Sequence, residues 1–465
     1  MSGVIFTIAL AAAVVIPVLG LVHALRGRPV AEIAISHFAY FTLLFLAAFP
    51  FRAWLLQEGL VRAQVQVQPS AIALNDPEMA FALAAALLAW LAVYLGYRSL
   101  RPDRQEPVLS DFTTPSQTRA VVGFLLLLAL AVSATLYLQG EAASLGGKAY
   151  FAARAGSGPL WLLPELFPFG AIVFAALAFR PLGRGQAGLW LAFMVGALAL
   201  SLWVGTELVT RRLVAAVVLA LVVVSVVRFP RLWPLGAFAV IGTVLAAGIL
   251  EVVRRISAET TRHHGFIYAF SETWKSIINF NHLYFLSTSF EGIEHLHQFL
   301  QKATLPQIWL GVDHGVSWAF NMGLALLPRV LWTSKPLVYG GMEEFRWLYP
   351  DMFDGDQAVT ALPMSFVVDF SFGFGFAVAL VLCFGLGRFL RVCEAALWTE
   401  GGEPALRALA LFIFIWMFNL VRSGTAMGHV LLIFACVSVL RLGLRATWRA
   451  YSWLILATFG RRAEK

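Results

Sequence analysis

Charge is what this sequence lacks. Of 465 residues only 13% are Asp, Glu, Lys or Arg, against 60% apolar, and the mean hydropathy is +0.79. A soluble domain carries about 25% charged residues, so too few are present to coat one large domain or several small ones. The same figures exclude disorder, collagen and coiled coil. Cysteine is nearly as scarce. Cys383, Cys393 and Cys436 lie in or beside apolar runs near the C-terminus, which leaves no disulfide framework for a polar loop. A P-loop, GxxxxGK[ST], does not occur. In a soluble protein the net charge of +8 would suggest nucleic acid. In a chain this apolar it is first a matter of topology, and no nucleic-acid partner is expected.

What the sequence has is apolar runs. A spanning helix needs about 20 apolar residues, and about eleven stretches supply them: 4–25, 33–55, 79–97, 120–138, 161–179, 189–205, 213–227, 234–253, 366–387, 405–421 and 428–442. The expected fold class is an all-α polytopic membrane protein. The first run lacks a basic start and a small-residue cleavage site, and Arg26 and Arg28 follow it, so it is expected to stay as a span. Holding arginine inside puts the N-terminus outside and the C-terminus in the cytoplasm. Roughly 19 Lys and Arg then fall on inner connections and about 7 on short outer ones. The chain divides into eight spans (1–253), a large outer loop (254–365), three more spans (366–443) and a basic cytoplasmic tail (444–465).

The inner connections reach only about twenty residues, too short for a nucleotide-binding fold. Chemistry driven by ATP or a cytosolic nucleotide sugar is therefore not expected. Span interiors are nearly free of charge, which disfavours an ion-coupled transporter. The outer loop, about 110 residues long, is of a length that usually has a role. Within it Phe290, Ile293, Leu296, Phe299 and Leu300 recur at helical spacing, with Glu291, Glu294, His295, His297 and Gln298 on the other side. This pattern predicts a helix lying along the membrane surface. Residues 309–327 are apolar enough to dip into the bilayer.

Several cations face outward against the usual bias: Lys148, Arg154, Arg211, Arg212, Arg329, Lys335, Arg346 and Arg422. Guanidinium groups grip phosphate in bidentate fashion, although each also has a plain reading as a snorkelling residue. Acids and histidines concentrate in the loop as Asp313-His314, Glu343-Glu344 and Asp351, Asp354 and Asp356 of "DMFDGDQ". Asp313, His314, Glu343 and Glu344 are the candidate general bases. The aspartate run fits a capped, solvated turn better than a calcium loop. No metal site or cofactor is assigned.

The run "LPRVLWTSKP", residues 327–336, resembles the PRxxWxxKP element that Wzy-type O-antigen and exopolysaccharide repeat-unit polymerases carry in a large periplasmic loop. Thr333 stands where that family usually has Pro. "LPMSFVVDFSFGFGFAVALVLCFG" (362–385), "GKAYFAARAGSGPL" (147–160) and "GTELVTRRLVAAVVL" (205–219) are similar to further pieces. The resemblance implies a multi-pass enzyme of the bacterial inner membrane that joins repeat units carried on undecaprenyl pyrophosphate. It needs no cofactor, and a chain-length regulator and a flippase are candidate protein partners. Arg154, Arg211, Arg212, Arg329, Lys335 and Arg422 would bind the lipid-linked substrate, neutralising the pyrophosphate leaving group. A loop acid or histidine would take the acceptor's proton. Three alternatives stay open: an O-antigen ligase passing the same donor to lipid A core or protein, a lipid-linked oligosaccharide flippase or other transporter, and a non-enzymatic assembly subunit with the outer loop as its docking surface.

Overall fold

The structure is a computed structural model that describes residues 2–60, 77–100, 212–242, 290, 292–315, 342–350, 353–354, 357–358, 364–399 and 404–422, with isolated helical positions at 133, 195, 196 and 199. Among these residues the fold is almost wholly helical. Four helices are long and apolar enough to cross a membrane: Gly3–Leu25, His37–Gln57, Pro77–Ser99 and Phe376–Trp398. The expected runs 120–138, 161–179, 189–205 and 428–442 lie outside the described residues, apart from single helical positions.

In chain order the elements are α1 (Ser2–Leu25), the short α2 (Val30–Ala34) and α3 (His37–Gln57), which contains a π turn at Ala47–Phe51. Then come α4 (Pro77–Ser99), α5 (Arg212–Arg228), α6 (Gly292–Lys302), α7 (Leu305–Leu310) and α8 (Met342–Leu348). The last are α9 (Phe366–Phe374), α10 (Phe376–Trp398) and α11 (Pro404–Arg422). Phe353 pairs with Ala358 and Asp354 with Gln357 in a short antiparallel ladder, while Asp351 and Asp356 of the aspartate run lie outside the described residues.

Side-chain contacts fix how the long helices run. α1 and α4 are parallel, with Gly20 against Trp90 and His23 Nδ1 hydrogen-bonded to Tyr94 OH at 2.6 Å. α3 runs the other way: Phe38 stacks on Tyr97 at 4.5 Å, and Trp90 Nε1 donates to Thr42 Oγ1 at 3.3 Å. α10 follows α4. Its start lies against Trp309 of α7, and its last turns meet the end of α4, where Tyr97 OH donates to Glu394 at 2.7 Å.

Glu394 organises that end of the bundle. It is buried, and it accepts from Ser36 Oγ at 2.7 Å, from Tyr97 and from Arg391 at 3.2 Å, and pairs with Arg28. A buried carboxylate is stable only when its lone pairs are matched in this way. Four segments of chain are tied at one point. The opposite end, the loop end, receives α6, α7 and α8.

α4 and α10 cross in backbone contact. A Cβ at Gly387 would overlap Val93 O, and one at Gly96 would overlap Phe384 O. Small residues permit such an approach, and close packing rather than water exclusion drives helix association in lipid.

Two expectations change. The run 366–387, read as one span, breaks at Gly375, whose φ of 80° ends α9. The membrane-length helix therefore starts at Phe376, and Arg388 and Arg391, expected in a connection, lie inside α10. An average over apolar residues is blind to a single left-handed glycine. Replacing Gly387 by Leu should lower the melting temperature and yield of the detergent-purified protein. Gly385→Leu, at a position with open space around it, should leave both unchanged.

Candidate functional site

The helix expected to lie along the surface is instead packed into the loop end. Ile293, Leu296 and Phe299 are buried, but so are Glu294, His295 and His297. The expectation of a solvated polar face is thus corrected: that face meets polar groups of the bundle rather than water. Gly292 allows the approach, since a Cβ there would lie 3.2 Å from the Phe49 ring and 3.3 Å from Ser365 Cβ.

Arg52 holds the helix in place. Its Nε donates to Glu294 Oε2 at 2.9 Å and its Nη2 to Oε1 at 2.8 Å, both groups being buried. Bidentate guanidinium–carboxylate geometry is the strong form of this contact. Arg52 comes directly after the π turn, which contains Pro50. Such a turn takes one extra residue and rotates the succeeding part of the helix by about 100°. Beside this pair, His295 Nδ1 is hydrogen-bonded to Tyr349 OH at 2.8 Å, and His297 Nε2 lies 3.9 Å from Glu78 Oε2. Lys302 Nζ donates to the Trp347 and Leu348 carbonyls at 2.8 and 3.2 Å, capping α8.

α8 in turn places Glu344. This residue is buried and hydrogen-bonded to Asp369, which is equally buried near the start of α9. Burial pushes the Glu344 carboxyl well above the usual range, and the neighbouring charge and hydrogen bond of Asp369 push it further, with Asp313 adding a smaller contribution. Burial and the neighbouring acid thus favour the protonated form of Glu344, hydrogen-bonded to Asp369. Glu344 Oε2 has no hydrogen-bond partner among the described residues.

Asp313 reaches this pair from a tight segment after α7. Val312 N donates to Phe372 O at 2.7 Å, fastening the segment to α9. Asp313 Oδ1 accepts from Gly315 N at 3.0 Å. His314 adopts φ 55°, unusual for a side chain larger than glycine. It is exposed, and its Nδ1 donates to Leu310 O at 3.2 Å.

Of the candidate bases, Asp313 and Glu344 come together with Asp369, His314 adjoins them on the exposed side, and Glu343 is a backbone neighbour in α8. Arg422 ends α11, and Phe418 one turn earlier packs edge-on against Phe290, two residues before α6. That places the last turn of α11 at the loop end. α5 has its last turn near the Glu394 end, where Val226 and Ile35 flank Gly236, and leads back from there to Arg212. Arg154, Arg211, Arg329 and Lys335 lie outside the described residues. Sequence reasoning missed Arg52 and Asp369, both single charges inside apolar runs. Comparison of the chain with protein-family models, with curated proteins and with solved structures finds no match.

Breaking a buried pair by removing one partner strands a charge and costs about 3–5 kcal/mol. Arg52→Met should destabilise the protein by that order in detergent denaturation, and adding Glu294→Met should restore most of the loss. The raised Glu344 carboxyl also sets a sign: its contribution is intact at acid pH and is lost as pH rises from the ordinary carboxyl range toward its higher folded value. The melting temperature should fall as pH rises above the ordinary carboxyl range, and Glu344→Gln should flatten that fall. An unchanged slope in the variant would contradict the assignment.

Proposed function

We propose that this chain is a membrane glycosyltransferase that polymerises oligosaccharide repeat units carried on undecaprenyl pyrophosphate, at the periplasmic face of a bacterial inner membrane. In this reading it has about eleven spans and the loop end faces the periplasm. The observation that carries the reading is the clustering of Asp313, Glu344 and Asp369 at the end of the bundle where α11 also ends at Arg422. The likeness of residues 327–336 to the polymerase loop element supports it.

The chemistry needs two kinds of group and no nucleotide. An acceptor hydroxyl oxygen attacks the anomeric carbon of the donor. The bond from that carbon to pyrophosphate breaks, and its electron pair leaves with the lipid pyrophosphate. Arg154, Arg211, Arg212, Arg329, Lys335 and Arg422 stabilise the charge that develops there. Asp313, partly exposed at the tip, takes the acceptor's proton. In the Glu344–Asp369 pair beneath it the protonated form of Glu344 is favoured, and its hydrogen bond fixes α8 beside the tip.

Purified protein given lipid-linked repeat units in detergent should produce a ladder of products. Asp313→Asn should lower the rate by about 10²- to 10⁴-fold, and Arg212→Gln should lower it as well. Intact substrate with no ladder would overturn the reading, and single transfer to a lipid A core acceptor would point to a ligase.

A further inference from the structure

α7 is short, and three of its apolar side chains point away from the protein while Ile308 is half-buried. Leu305, Trp309 and Leu310 are 72%, 56% and 63% exposed, while Gly311 directly after them is buried. In water three such residues on two turns would be a liability. The helix is nevertheless built with care. Gln307 Oε1 accepts from Thr304 N at 2.9 Å, closing a capping box at its start. At its end Gly311 (φ 87°) and Gly375 (φ 80°) bring the chain into backbone contact with the junction of α9 and α10. Only glycine fits there, because a Cβ on Gly375 would overlap Trp309 O. The exposed face also has a neighbour of the same character. α10 starts at this junction, and its outward residues Val378 and Val381 are exposed apolar side chains on a helix of membrane length.

We propose that α7 is a monotopic anchor that inserts Leu305, Trp309 and Leu310 into the leaflet at the loop end, continuing the lipid-facing side of α10. Tryptophan at the boundary and a short apolar face suit insertion to headgroup depth. The consequence bears on substrate. Asp313 and His314 come within four residues of the end of α7, so the anchor holds the catalytic tip at the depth of lipid headgroups and favours substrates borne on membrane lipid over soluble ones. The proposal rests on the bundle being membrane-embedded, and the test separates the two.

The test uses full-length protein with Cys383, Cys393 and Cys436 replaced by Ala, carrying one cysteine in place of Leu305, Leu310 or Val381. Each is labelled with a small fluorophore and reconstituted into phosphatidylcholine–phosphatidylglycerol vesicles. Labels at 305 and 310 should be quenched several-fold more by lipid with a spin label near the headgroup than by aqueous iodide. The label at 381 should respond to lipid with the spin label deeper in the acyl chain. Iodide quenching at 305 and 310 with a lipid response at 381 overturns the anchor alone. Iodide quenching at all three overturns the membrane reading and the anchor with it.

Discussion

The pairing of Arg52 with Glu294 is the contact on which the loop end depends. The two residues are separated by 242 positions in sequence and meet through two hydrogen bonds out of contact with solvent. A guanidinium so placed must find a carboxylate, because an unpaired charge costs several kcal/mol. The helix that supplies it is thereby drawn into the bundle together with His295 and His297 of its polar face. Tyr349, the carbonyls at the end of α8, and the buried Glu344 are then positioned in sequence from that helix.

The two ends of the bundle show how differently a buried acid can be used. Glu394 accepts from Ser36, Tyr97 and Arg391 and pairs with Arg28, and nothing about it invites a ligand. It is a clamp. Glu344 is buried against another acid, which favours its protonated form, and it has one oxygen with no partner among the described residues. Satisfied polar networks rigidify a core, whereas partly satisfied ones persist at sites of function. The asymmetry between the ends supports the proposal that the loop end carries the chemistry.

Much of the helical framework was legible in the sequence. The runs at 4–25, 79–97, 213–227 and 405–421 coincide closely with α1, α4, α5 and α11. The 3.6-residue spacing of Ile293, Leu296 and Phe299 foretold α6 as a helix. Its burial was not legible, because periodicity separates apolar from polar faces but cannot say whether the polar face meets water or a buried arginine. Arg52 and Asp369 escaped notice for a related reason: a lone charge scarcely changes the mean of an apolar window. The break at Gly375 depends on one backbone angle, and the meeting of Asp313 with Glu344 on contacts between distant segments. Neither leaves a local pattern.

The packing of α6 inside the bundle is tested most directly by a disulfide cross-link. In a variant lacking the native cysteines, Gly292→Cys and Ser365→Cys would place two Cβ atoms about as close as a disulfide requires, the built distance being 3.3 Å. With a protease site inserted between residues 316 and 341, mild oxidation in native membranes should keep the two fragments joined until a reductant is added. Fragments that separate without reductant, with both thiols open to a bulky maleimide, would contradict the account.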